Sequence, residues 1–185
     1  MTDELDALIE ALKDKDSDVR RSAASSLGEI GPGAEKAVPA LIEALKDNVV
    51  FVRSFAAEAL GNIGPKKDHV VFCLIQALND LAEDVRFAAA EALGNIGPAA
   101  EKAVPALIEK LKDEDEYVRS SAVCSLGYIG PAAVKAVPAL IEKLKDEDEY
   151  VRDSAAIVFG KIGPGAVKAV PALIEALKDE KFEVR

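Results

Sequence analysis

The sequence predicts an all-α fold, an α-solenoid of 33-residue helix pairs, and three observations carry that prediction. The dipeptide Val-Arg recurs at Val19-Arg20, Val52-Arg53, Val85-Arg86, Val118-Arg119, Val151-Arg152 and Val184-Arg185, always 33 residues apart. Between recurrences the apolar residues fall at spacings of three and four, the period of an amphipathic helix. Every copy also carries a Leu/Phe-Gly-x-Ile-Gly-Pro phrase, as from Leu93 to Pro98. That phrase is a helix stop, because glycine accepts the left-handed cap conformation and proline cannot continue the hydrogen-bond ladder.

The chain opens on "ELDALIEALKD", whose stripe Leu5, Leu8, Ile9 and Leu12 predicts one helix, and "KAVPALIEALKD" repeats it with Val38, Leu41, Ile42 and Leu45. These are the PALIE helices, with prolines at Pro39, Pro105, Pro138 and Pro171. Each alternates with a VR helix such as "EDVRFAAAEALGNIG", where Val85, Ala89, Ala92, Leu93 and Ile96 form the buried set. The inner glycines Gly28, Gly61, Gly94, Gly127 and Gly160 permit close helix approach, and the Asp that opens each copy is placed to cap the helix or close the turn. The expected organisation is one array: five complete pairs at 1–31, 34–64, 67–97, 100–130 and 133–163, and a truncated sixth at 166–185. Such pairs bury an apolar face only by stacking on their neighbours.

Composition excludes several functions. With 33 acidic against 23 basic residues the formal net charge is −10, which argues against nucleic acid, whose binding needs a clustered basic face. The longest apolar runs are far short of a membrane span and no secretory leader is present, so neither membrane nor export is expected. Cys73 and Cys124 sit in different copies and different kinds of helix, so both are read as free thiols; these features suit the cytoplasm, or a recombinantly made chain. His69 is the only histidine, which leaves nothing for a His-based metal site or nucleophile triad. The acidic runs at 113–116 and 146–149 lack the glycine and spaced glutamate of a calcium loop. No catalytic residue, cofactor or metal is expected.

The pattern Asp, Val-Arg five residues later, then x-x-A-A/V-x-x-L/F-G-x-I-G resembles the HEAT repeat family, in particular the short HEAT-like repeats of phycobilin lyase subunits. It is similar also to artificial HEAT-like repeat binders, although the copies here are longer and their loop reads Gly-Pro-x-x. The resemblance covers the whole chain. It implies a right-handed superhelix with the PALIE helices on the convex side and the VR helices on the concave side, serving as a protein-binding scaffold. It implies also that each Arg of the pairs Asp14/Arg20, Asp47/Arg53, Asp80/Arg86, Asp113/Arg119 and Asp146/Arg152 meets carboxylates of its own and a neighbouring copy. That ladder is read as structural, because a binding site has no reason to repeat in every copy.

Specificity is sought where the copies disagree. Numbering each copy from its first Asp, positions 5, 8, 9, 12 and 16 vary, and at about 100° per residue they share an arc of about 100° on the VR helix, apart from the core arc. Six of nine aromatics lie there: Phe51, Phe55, Phe87, Tyr117, Tyr128 and Tyr150. Exposed aromatics are enriched at interface hot spots. With Glu58, Asn62, Glu91 and Asn95 as orienting groups, and Val50, Cys124 and Ile157 beside them, they form the candidate partner face. Tyr117 and Tyr150 fit equally well as lateral packing between successive VR helices.

The second copy departs most, with Val49, Val50 and Phe51 where others carry acid, Leu81-Ala82 in the next turn, and "KKDHVVFCLIQALND" in place of "GAEKAVPALIEALKD". Its VR helix and turn are read as the contact centre. Phe72 and Cys73 are read as drift, loss of the proline letting the helix repack around a larger side chain. The leading function is therefore a non-catalytic scaffold for a protein or peptide. The alternatives are a self-associating or designed array, pairing through the aromatic patch or the C-terminal end, and, more remotely, a lyase-like accessory subunit. The break at Val184-Arg185, where a VR helix begins, suggests a piece of a longer array.

Overall fold

A computed structural model describes residues 2–64, 68–179 and 181. Pro65 of one Gly-Pro stop and the sixth Val-Arg pair lie outside the described residues. The PALIE helices are α1 (Thr2–Ala11), α3 (Val38–Ala44), α5 (Asp68–Ala77), α7 (Val104–Lys110), α9 (Val137–Lys143) and α11 (Val170–Ala176). The VR helices are α2 (Ser17–Ile30), α4 (Val50–Ile63), α6 (Glu83–Ile96), α8 (Glu116–Ile129) and α10 (Glu149–Ile162). No strand occurs among the described residues.

The chain forms two compact units, Met1–Ile96 and Gly97–Arg185. In the first, α2 packs along α4 and α4 along α6, while α1, α3 and α5 form a second layer on them. The second unit repeats the plan, with α8 along α10 and α7 and α9 behind. Leu27, Leu60, Leu93 and Leu126 of the VR helices and Leu41, Leu74, Leu107 and Leu140 of the PALIE helices are fully buried between the layers. Phe159 takes the leucine position of its copy and is buried too.

The inner glycine sets how closely VR helices approach. A Cβ placed on Gly61 would stand 2.5 Å from Ala92 Cα and 2.8 Å from its Cβ, far inside normal contact, so α4 and α6 meet backbone to backbone.

Each VR helix ends where expected, at a glycine of positive φ such as Gly31 (+65°) or Gly130 (+73°). The link to the PALIE helix is not a plain loop. Gly31–Ala37, Gly97–Ala103, Gly130–Ala136 and Gly163–Ala169 are 3-10 turns that run directly into the PALIE helix. The proline after the glycine fixes a helical φ at the first position and so starts the new turn. Counted through these turns, Glu116–Lys143 and Glu149–Ala176 are each 28 residues long and apolar enough to cross a membrane. Each is nonetheless broken at Gly130 or Gly163, and half of the first run's apolar window is buried inside the protein.

α5 differs because Phe72 replaces the proline. It has ten residues where α3 has seven, since no ring removes a backbone donor near its start. The expected repacking around Phe72 does not occur: its ring is 58% exposed. The prolines at this position in α3, α7, α9 and α11 are exposed as well, so a larger side chain there finds no core to fill.

The ladder holds with one correction. Arg53 Nε and Nη2 donate to Asp80 Oδ2 and Oδ1 of the next copy, both at 2.8 Å, while Nη1 donates to the backbone carbonyl of Asp47, also at 2.8 Å. Arg20 makes the same set with Asp47 and the Asp14 carbonyl, Arg119 with Asp146 and the Asp113 carbonyl, and Arg152 with Asp179 and the Asp146 carbonyl. Arg86 Nη1 reaches the Asp80 carbonyl at 3.1 Å. The hydrogen bond within the copy thus goes to a carbonyl, not to the expected carboxylate. The reason is that each carboxylate already closes its own turn, as Asp47 Oδ1 does by accepting from Val49 N at 2.9 Å. That also settles the role of the opening Asp: it closes the turn, and the cap comes two residues later, at Asp16, Asp115 and Asp148. α4 has Val49 at this place and no side-chain cap.

Burial would raise the Asp146 carboxyl, but the Lys143 ammonium and Arg119 guanidinium hold it below the usual range. For Asp47 the Arg20 hydrogen bond dominates and lowers it.

Candidate partner-binding face

In the N-terminal unit positions 5 and 16 of α2, α4 and α6 are exposed, whereas position 9 passes from exposed at Ser22 to half-buried at Phe55 and buried at Ala88. Phe51, in the first turn of α4, is 56% exposed, and Phe87, near the start of α6, is 37% exposed. Phe55 is not fully free. Position 9 lies toward the neighbouring VR helix, so its ring is half-buried and the Arg21 guanidinium stands 6.0 Å from its centroid. Val50 is half-buried at the start of α4. Leu81, in the turn before α6, is 98% exposed. Sequence reasoning placed that turn in the contact centre without counting Leu81 itself among the partner-binding residues; an apolar side chain in a turn was the signal.

Glu58 and Glu91 occupy position 12 on adjacent helices and are exposed, as are Asn62 and Asn95. Asn95 Nδ2 lies 3.5 Å from Asn62 Oδ1. Partial burial raises the Glu58 carboxyl above its ordinary pKa, and the negative charges of Glu91 and Glu29 add to the effect.

In the C-terminal unit Tyr117 and Tyr150 are both exposed at position 5 of α8 and α10. They do not pack laterally as ladder rings. Tyr128 is exposed, with Lys161 Nζ 3.7 Å from its ring centroid. Cys124 Sγ lies 3.6 Å from Ser154 Oγ, which is 3.0 Å from Ser120 Oγ. Ile157 is exposed on α10.

A second feature escaped sequence reasoning. Between α3 and α5 lies a groove of about 450 Å³ lined by Ile42, Leu45, Phe72, Ala77, Lys46 and Cys73, among others. Within it Cys73 Sγ is 3.9 Å from His69 Nε2, and burial pushes the thiol pKa up. The departure of the second copy from the repeat was the available signal. Cys73 and Cys124 are both free thiols. Among the described residues no group of three or more His, Cys, Asp and Glu side chains is arranged to hold a metal ion.

Among solved structures the chain is similar to an engineered protein, with 26% identity and a TM-score of 0.77, covering 98% of this chain and 92% of that one. It is similar also to the complex of CpcE and CpcF of phycocyanin lyase from Nostoc sp. PCC7120, with 27% identity, a TM-score of 0.75 and coverage of 98% and 73%. A designed armadillo repeat protein in complex with the peptide (KR)4 shares the fold at 21% identity, with a TM-score of 0.70 and coverage of 98% and 95%. No curated protein matches the chain. The pattern of HEAT repeats matches residues 5–71, 50–123, 72–157 and 104–185; with that span, the helix pairs and the Arg ladder, the chain belongs to the HEAT repeat family.

Proposed function

We propose that the chain is a non-catalytic scaffold that binds a protein or peptide on the concave face formed by its VR helices. One observation carries the reading: positions 5 and 16, which vary between copies, are exposed in all five VR helices, and position 5 carries the rings Phe51, Tyr117 and Tyr150. Phe51 and Phe87 are the anchors, since exposed rings gain most from being covered. Tyr117, Tyr128 and Tyr150 play that part in the C-terminal unit. Fold neighbours support the class of function, one designed repeat protein having been solved with a peptide.

The test is selection of random peptides displayed on phage against the intact chain and against a Phe51→Ser, Phe87→Ser variant of unchanged helicity and melting. Sequences enriched on the intact chain and lost on the variant support the reading. Equal enrichment on both sinks it.

Self-association is the second reading, with the exposed rings Phe51, Phe87, Tyr117 and Tyr150 as its contact surface. Light scattering across a hundredfold range of concentration separates the two readings. A constant monomer mass removes self-association.

A further inference from the structure

We infer that the partner of the N-terminal unit's face is a cationic peptide segment, one that presents Lys or Arg side chains to the rings and carboxylates of α4 and α6. This rests on the proposal that the face binds a peptide at all, and it adds the chemistry of the occupant.

The argument is charge complementarity on an aromatic surface. The variable positions of α4 and α6 carry the rings Phe51, Phe55 and Phe87, the acids Glu58, Glu91 and Asp84, and no lysine or arginine. Arg21 and Glu29 are contributed by α2. The guanidinium of Arg21 is already set against the Phe55 ring and within 3.7 Å of Asp18. This is the same pair of contacts, ring and carboxylate, that an incoming cation would make. An aromatic ring attracts a cation through its quadrupole, and a nearby carboxylate adds Coulomb attraction that strengthens as water is displaced.

An apolar or anionic occupant fits less well. An apolar segment covering Phe51 and Phe87 would strip water from Glu58 and Glu91 without replacing it, a desolvation cost. An anionic segment would meet the like charge of Glu58, Glu91, Asp84 and Glu29. A cation relieves that crowding, and Asn62 and Asn95 remain to hydrogen-bond a peptide backbone.

The experiment is fluorescence anisotropy with three labelled twelve-residue peptides of one pattern, in which the charged positions are Lys/Arg, Gln or Glu. Four proteins are compared: the intact chain, Glu58→Gln/Glu91→Gln, Phe51→Ser/Phe87→Ser, and Glu101→Gln/Glu109→Gln. The last removes two exposed charges from outside the VR face, so it reports any general effect of net charge. The expected result is binding of the Lys/Arg peptide only, weakened roughly tenfold by Glu58→Gln/Glu91→Gln. It should be weakened also by the serine pair and left within about twofold by the control pair, and tightened at low ionic strength.

If the control pair weakens binding as much as the Glu58/Glu91 pair, the attraction is diffuse and the inference is wrong. If the Gln or Glu peptide binds equally well and depends on Phe51 and Phe87, the face binds peptides but the cationic assignment fails. If no peptide depends on Phe51 and Phe87, and phage selection also yields none that does, the proposed face itself fails.

Discussion

Glycine at one repeat position should respond in opposite ways in two copies. Gly61 and Gly160 are equivalent in sequence. A Cβ on Gly61 would meet the Ala92 backbone at 2.5 Å, whereas a Cβ on Gly160 meets nothing within 4 Å among the described residues. Ordinary carbon contacts lie at about 3.5 to 4.0 Å, so Gly61→Ala forces α4 and α6 apart by roughly an ångström. Overpacking of this size costs about 1 to 3 kcal/mol, offset by about 1 kcal/mol of helix propensity. The net expectation for Gly61→Ala is a loss of up to about 2 kcal/mol. Gly160→Ala keeps only the propensity term and should gain about 0.5 to 1 kcal/mol. For a chain of this length 1 kcal/mol shifts Tm by about 2 to 4 °C, so thermal melts followed by circular dichroism resolve the difference. Separate urea titrations check whether the two units melt together. Equal stability of the two variants would refute the backbone-to-backbone contact of α4 with α6.

Three further outcomes are expected. Val49→Asp supplies the cap that α4 lacks and should stabilise by about 1 kcal/mol, while Asp148→Ala, which removes acceptors for Tyr150 N and Val151 N, should cost about as much; denaturant midpoints decide, and a neutral Asp148→Ala counts against the cap. Arg119→Ala removes the guanidinium from Asp146, leaving the Lys143 ammonium and the Asp148 backbone N–H, in a site where the Arg119 and Asp146 side chains are 7% and 5% exposed, and should cost about 3 kcal/mol; a loss below about 1 kcal/mol would make the ladder decorative. Because the Asp47 and Asp146 carboxyls are held below their ordinary pKa, the stability they add is complete above the unfolded aspartate value of about 4 and is lost as pH falls through the folded values. Melting from about pH 6 down to about pH 2 should therefore show an acid-side drop that is smaller in Asp47→Asn/Asp146→Asn.

The sequence by itself determined the helices, their order and their stops. These depend on local period and on backbone freedom at glycine and proline, and a 33-residue repeat states them several times over. It also separated framework from variable positions, because core residues recur and surface residues drift. The tertiary structure decided matters of neighbourhood. Position 9 faces the adjacent VR helix, so Phe55 is half-buried while Phe51 and Phe87, four residues from it along the helix or one helix over, remain exposed. The opening Asp closes its own turn and receives the Arg of the preceding copy, a pairing across 27 residues. The groove holding His69 and Cys73 arises only where α3 and α5 stand side by side. Side-chain partners such as these belong to the packed array, because periodicity fixes which face a residue is on but not what the next helix places against it.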